Sequence, residues 1–250
     1  MHLLELIYLL FLKELKIRYK SNFFGYLWAI ANPLAFTLIY YFAFKTVLNN
    51  PTENYLVYLL SGVFPWAWIA SSINYGSMCF RGNSGLVKKV KINRLVLPFS
   101  ISLTQASHFL FSIPILFSVI FFSHGSFYIS WLWQIPLLIL LQIFFLFPVT
   151  SILGYLNVLM RDVEYIANLL VSMLFFLCPI VYEKTLIPEF YLDILSNSPF
   201  FALIDAWHGT ILNGNMSIDL IQPLILSIIV LNFFCYYLFS KVDRKIGELL

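Results

Sequence analysis

The length of its apolar stretches constrains this chain most. A helix needs roughly 20 mostly apolar residues to cross about 30 Å of hydrocarbon. Six stretches qualify, at about 29–48, 55–76, 99–122, 135–159, 166–182 and 220–240, the fifth at the short limit. Inside hydrocarbon every backbone polar group needs a partner within the protein, so such stretches fold as helices. Of the 250 residues, 61% are hydrophobic and 11% charged, where a soluble domain is about a quarter charged. The sequence therefore predicts an all-α integral membrane protein with six transmembrane helices. Residues 1–250 read as a single transmembrane domain, with no room for a soluble catalytic domain beside it.

Charge placement sets the orientation. With the N-terminus in the cytoplasm, the inside segments hold Lys13, Lys16, Arg18, Lys20, Arg81, Lys88, Lys89, Lys91, Arg94, Arg161, Lys241, Arg244 and Lys245, which is 13 of the 15 basic residues. Lys45 and Lys184 fall outside. The positive-inside rule selects this orientation over its reverse, and an even number of spans leaves both termini cytoplasmic.

The connecting segments are also patterned. At the start, Leu4, Tyr8, Phe11, Leu12, Leu15 and Tyr19 share one helical face, while Lys13, Lys16 and Lys20 share another. This is the pattern of a helix lying in the membrane interface, and 1–26 is assigned to it. A plain basic tail carries the same charges. A turn-rich entry (Gly82 to Gly85) opens the basic segment 79–98. A short helix over Leu86–Asn93 follows, with Ser84 as its N-cap, and Pro98 begins the next span. The outer stretch 183–219 contains "IPEFYLDIL" and "PFFALIDAWHGTIL". These half-apolar pieces are too short to span and read as re-entrant helices or as an amphipathic loop resting on the bilayer. Pro33, Pro65, Pro114 and Pro148 lie inside spans and Pro179 near the end of the fifth; prolines there mark kinks, packing or gates.

What the spans lack narrows the function. Ionisable residues inside a membrane mark ion-coupled transport. Here Lys45 sits at a span edge, and His108 alone lies well inside one, a residue read as hydrogen-bonded packing. No HExxH and no GxxxxGK[ST] phosphate loop is present, so no catalytic residue and no metal site is assigned. Asp205 and His208 read as a structural polar pair on the outer side. Cys79, Cys178 and Cys235 are dispersed and suggest neither a disulfide framework nor zinc. The apolar N-terminal stretch runs into lysines without a cleavage site, so no signal peptide is expected. The chain reads as a conduit powered by a partner, with 79–98 as the docking piece.

At this point a family resemblance appears. "KELKIRYKSNFFGYLWAIANPLAFTLIYYFAF" (13–44) carries Gly25, Tyr26, Leu27, Trp28, Asn32 and Pro33. "SGVFPWAWIASSI" (61–73) carries Gly62, Pro65 and Trp66. "NSGLVKKVKINRLVLPFS" (83–100) carries Lys88, Lys89, Arg94, Leu97 and Pro98. "GYLNVLMRDVEYI" (154–166) holds an Arg161–Asp162 turn, and "CPIVY" (178–182) a Pro-Ile-x-Tyr. In this order the chain resembles the membrane (permease) subunit of type 2 ABC exporters, in the branch that exports O-antigen, capsule or teichoic acid. It departs from many members at Ile92–Asn93, where they have Phe-Pro, and at Asn197–Ser198–Pro199, where they have Asn-Pro.

The resemblance implies two copies of this chain with two copies of an ATP-binding cassette ATPase, which binds the ATP and magnesium; this chain itself holds no cofactor. The expected cargo is a lipid-linked polysaccharide crossing the cytoplasmic (inner) membrane, with no nucleic acid involved. Leu86, Val87, Lys88, Lys89, Val90, Asn93 and Arg94 become the ATPase-coupling segment. Lys88 and Lys89 either pair with acids on the ATPase or serve only the positive-inside bias. Tyr40, Tyr41, Phe64, Trp66, Trp68 and Tyr155 are conduit-lining candidates, because aromatic faces support a sugar chain without gripping it; the same rings also suit packing and interfacial belts. Phe190, Tyr191 and Trp207 are placed at an outer gate, and Arg161 and Asp162 at a cytoplasmic turn. Two alternatives remain: an exporter permease for a lipid or drug, and an intramembrane acyl- or glycosyltransferase. Asp162 and Glu164 are the one inner carboxylate pair available to such an enzyme.

Overall fold

A computed structural model of the chain describes residues 3–19, 27–90, 92–124, 127–216 and 218–250. Lys20–Tyr26, which include the Gly25–Tyr26 half of the first motif and the end of the expected interfacial helix, lie outside the described residues, as does Lys91. The apolar runs become helices: α1 (Leu3–Tyr19), α2 (Leu27–Tyr40, widening into a π-helical Tyr41–Val47), α3 (Tyr55–Ser77), α4 (Cys79–Gly82), α5 (Ser84–Lys89), α6 (Val96–His124), α7 (Trp131–Leu159), α8 (Val163–Leu177), α9 (Glu189–Ser196), α10 (Pro199–Asn213) and α11 (Ile218–Leu249). Five helical segments, in α2, α3, α6, α7 and α11, are long and apolar enough to cross a membrane, and α8 is a shorter apolar helix. The expected all-α membrane fold is the fold observed. The 15 residues of α8 rise about 22 Å at 1.5 Å each, less than the hydrocarbon thickness, because Pro179 stops the helix.

α3 is the axis of the bundle and packs against α2, α6, α7, α8 and α10. It is buried on nearly every side, as a helix apolar all round must be. Glycines set its approach to α7. A Cβ on Gly76 would lie 2.4 Å from Thr150 Cβ, and one on Gly154 would lie 2.6 Å from Cys79 Sγ and 3.0 Å from the Gly76 carbonyl oxygen. Small residues let membrane helices come this close.

The two ends of the bundle differ. At the basic end, Leu10 of α1, Phe80, Val87, Leu97, Phe239 and Ile246 close a second apolar cluster. α1 turns Leu6, Ile7 and Leu10 toward it, leaving Leu4 and Tyr8 of the expected apolar face exposed. Lys13 donates to Asn83 Oδ1. α5 differs from the expected Leu86–Asn93 helix: it starts at Ser84 and ends at Lys89, where Val90 turns extended (φ −121°, ψ 128°). Ser84 is therefore the first helical residue, and the cap position falls to Asn83, whose side chain makes no capping bond.

At the opposite end, α9 and α10 form a re-entrant hairpin. Phe200, in the first turn of α10, packs 5.0 Å from Phe145 and 6.4 Å from Trp66. Those residues lie midway along α7 and α3, so the hairpin tip reaches mid-depth. The other end of α10 meets the first turn of α7. Trp131 Nε1 donates to the Thr210 carbonyl at 2.8 Å, and Ser130 Oγ to the Gly214 carbonyl at 2.6 Å. These bonds satisfy carbonyls that every helix C-terminus leaves open. Gly214 takes the left-handed conformation (φ 61°) that ends α10.

Candidate functional site

A cavity of about 530 Å³ lies between α2, α3 and α6, reaching Phe175 of α8. Four of the expected conduit aromatics, Tyr40, Phe64, Trp66 and Trp68, line it. The other two do not. Tyr41 packs on Tyr55 toward the far end, opposite the basic one, ring centroids 6.2 Å apart, and Tyr155 packs on Phe239 in the basic-end cluster. Phe64, Trp66 and Trp68 are buried and form the floor of the cavity rather than its rim. Trp68 stacks on Phe109 at 5.1 Å, and Trp66 meets Phe175 edge-on at 6.0 Å.

Among apolar neighbours such as Val63, Ala67 and Phe109 the wall also carries neutral polar side chains, a feature that sequence reasoning missed. Asn32, Ser71, Asn74, Gln105, His108 and Ser112 all face the cavity. The signal was present in spacing: Gln105, His108 and Ser112 stand at i, i+3 and i+7 on α6, and Ser71 and Asn74 at i and i+3 on α3, so each set shares one helical face. None of the lining residues is an acid, a lysine or an arginine. Aromatic faces with neutral donors and acceptors suit a hydroxyl-bearing chain, since bonds to neutral groups hold such a chain less tightly than bonds to charges.

At the far end of the cavity the fold is held by bonds to a broken helix. After α8 the chain leaves the helical path, and its freed carbonyls turn toward α3 and α10. Tyr55 donates its hydroxyl to the Val181 carbonyl at 2.6 Å, and the Tyr58 hydroxyl lies 2.7 and 2.6 Å from the Pro179 and Tyr182 carbonyls, with one proton to donate between them. His208 Nε2 lies 2.9 Å from the Pro179 carbonyl, and its Nδ1 lies 2.8 Å from Ser61 Oγ. The His208 and Tyr58 rings stack at 4.1 Å. A Cβ on Gly62 would come within 2.9 Å of His208 Cε1, so this glycine admits the imidazole. Non-helical backbone at membrane depth is tolerated only when satisfied this way. The expected Asp205–His208 pair is replaced by outside partners: Lys184 Nζ sits 3.0 Å from the Asp205 carboxylate, while His208 bonds to α3 and to the broken segment.

The structure separates the expected outer-gate residues. Phe190 and Tyr191 are exposed on α9 with their rings edge to face at 5.4 Å. Trp207 is in the core: its indole donates to Gln142 Oε1 at 2.8 Å and meets Phe109 at 5.0 Å. Of the expected coupling residues, Val87 is buried as the anchor of α5, while Lys88, Lys89 and Val90 project from the basic end. Leu86 packs at the margin of the basic-end cluster. Asn93 Oδ1 accepts from the Leu95 backbone N–H at 3.0 Å, and Arg94 is held by Asp243. Arg161 and Asp162 form an exposed turn between α7 and α8. The three cysteines are buried free thiols. Among the described residues no three metal-ligating side chains converge.

Spans, re-entrant hairpin and uncharged cavity define a multi-pass membrane transport subunit. The chain belongs to the ABC-2 type transporter family, whose model matches residues 5–212. It is 36% identical to an O-antigen export system permease protein, RfbA, of Klebsiella pneumoniae, over 100% of this chain and 96% of the relative. It is 30% identical to the RfbA of Myxococcus xanthus, over 71% of this chain and 68% of that one. It is 22% identical to the polysialic acid transport protein KpsM of Escherichia coli, over 83% and 81%.

Proposed function

We propose that this chain is the membrane subunit of an ATP-driven exporter that carries a lipid-linked polysaccharide of O-antigen or capsule type across the cytoplasmic membrane. Two copies would work with two copies of a partner ATPase, which binds and hydrolyses the ATP. Both termini and α5 then face the cytoplasm. The observation that carries this reading is an aromatic and neutral-polar cavity in a chain alike, over its whole length, to an O-antigen export permease. A wall without aspartate, glutamate, lysine or arginine, and with His108 as its one histidine, offers no relay of ionisable groups to an ion gradient. The pairing of two copies is supported by polar residues on an outward face, Asn168 and Ser172 of α8. A second protein surface covers such groups better than lipid does. Lys88, Lys89 and Val90, projecting beside the anchored Val87, fit a partner groove.

The test is deletion of the gene in its host. The expected result is loss of surface polymer with finished lipid-linked polymer accumulating inside the cell, reversed by supplying the chain in trans. An ATPase subunit should copurify with the tagged chain. Undiminished surface polymer would overturn the reading. Polymer synthesis lost in an Asp162→Asn/Glu164→Gln variant would favour an intramembrane transferase instead.

A further inference from the structure

The last turns of α11 are fastened to the segment that leaves α5, and nothing in the export reading requires that. Arg94 Nη1 donates to Asp243 Oδ2 at 2.8 Å, and the Arg94 backbone N–H approaches the other carboxylate oxygen at 3.4 Å. One carboxylate therefore fixes both the side chain and the main chain of the same residue, just before α6 begins. An exposed ion pair would hold little, but the Arg94 side chain is only 16% exposed. One turn further along α11, Gly247 passes beneath the guanidinium. A Cβ there would lie 2.8 Å from Arg94 Nη2, so Asp243 and Gly247 together form a cradle for this arginine. Beside it, Ile246 is fully buried in the cluster that contains Val87 of α5 and Phe80 of α4.

α11 in turn reaches the outer hairpin. It packs along α7 and against α10. At mid-depth Asn232 Nδ2 donates to the Phe144 carbonyl at 2.9 Å, next to Phe145, which packs on Phe200 at the hairpin tip. A continuous packed path thus runs from α5 through Arg94 and Asp243 to the tip of α10, and it does not pass through α3.

We infer that the Arg94–Asp243 clamp makes α11 the element that carries displacement of α5 to the re-entrant hairpin. Arg94 is then a positioning residue within this chain rather than a contact for the ATPase. This rests on the reading that a partner ATPase pushes on α5.

The test uses the intact complex, measuring surface polymer, ATP hydrolysis and ATPase copurification together. Arg94→Asp and Asp243→Arg should each lower export per ATP hydrolysed about tenfold with the ATPase still bound, and the double reversal should recover to within about threefold of wild type, as expected of a coupling between two residues in contact. Single variants exporting at the wild-type level, or a double variant no better than the singles, would overturn the inference. If the reversals do not accumulate in the membrane, Asp243→Asn and Asp243→Glu replace them. Loss in the first with retention in the second supports the clamp; equal export from both overturns it. A wild-type chain that copurifies with no ATPase brings down the export reading and this inference with it. A wild-type chain that assembles and exports, beside variants that do the same, brings down the inference alone.

Discussion

The two ends of this bundle solve the same problem in opposite ways. At the basic end the chain between α3 and α6 runs largely as helix, through α4 and α5, so most backbone groups are satisfied locally. The joints there are made by shape and charge: Phe80, Val87 and Ile246 in an apolar cluster, glycines where α3 meets α7, and one clamped arginine. At the far end the chain abandons the helix at Cys178, and its carbonyls are satisfied by side chains from elsewhere, Tyr55, Tyr58 and His208. The basic end therefore tolerates polar changes and rejects added bulk. The far end depends on particular donors, because an unmatched buried carbonyl costs about 1–3 kcal/mol.

Gly76 gives the largest expected effect on the basic half. In Gly76→Leu the Cβ alone would collide with Thr150 and approach its backbone, and overpacking of this kind costs about 3 kcal/mol or more. Loss of the monodisperse protein peak in detergent is expected. Gly85→Leu is the control: nothing lies within 4 Å of a Cβ there, and its unfolding temperature should match wild type. A tolerated Gly76→Leu would break the claim that shape holds this end.

Next in size is Tyr58→Phe. It keeps the ring stacked on His208 but removes the hydroxyl proton shared between the Pro179 and Tyr182 carbonyls, and the Tyr182 carbonyl then loses its donor. A cost of about 1–2 kcal/mol is expected in equilibrium unfolding, toward the upper range for hydrogen bonds between membrane helices. Tyr155→Phe at the basic end, where the ring packs on Phe239, should cost under about 0.5 kcal/mol. Equal effects from the two would erase the distinction between the ends.

The sequence made parts of this legible and hid others for definable reasons. Spans follow from apolar length, which hydrocarbon enforces, and the hairpin from two half-apolar pieces too short to cross. Trp207 was grouped with Phe190 and Tyr191 by side of the membrane. Its helical face, shared with Leu203, Ile204 and Ile211 at i−4, i−3 and i+4, is the buried one. The cavity's polar stripe is less legible, because neutral side chains at helical spacing stand out from their apolar neighbours less than charges and aromatics do. Asp205 and His208 sit at i and i+3, where they face one another, yet each is claimed by a partner distant in sequence: Lys184 for one, Ser61 and the broken segment for the other. Local spacing cannot show such competition, because it is decided by which elements pack together.

The smallest expected effect concerns His208, which lies outside the spans. Burial pushes its pKa down to about 4, outweighing the Pro179 carbonyl bond and the Asp205 charge, which act the other way. The carbonyl only accepts, so Nε2 carries the proton and the neutral Nδ1 accepts from Ser61. Above the ordinary histidine pKa, near 6.5, folded and unfolded chains both hold a neutral imidazole and stability does not depend on this group. As pH falls below that value the unfolded chain binds a proton that the folded chain refuses until about pH 4. Stability must therefore fall through that window, by about 1 kcal/mol at pH 5.5 for a difference of one pH unit. Thermal unfolding of wild type should show this loss, and His208→Asn should show a shallower slope over the same interval despite its lower stability. Parallel slopes would mean that the imidazole is already charged in place. Ser61 has the geometry for that, since its hydroxyl also lies 2.8 Å from the Tyr58 carbonyl and can turn there while Nδ1 donates. The far end would then be held by a cation rather than by neutral donors, and its contrast with the basic end would be one of geometry alone.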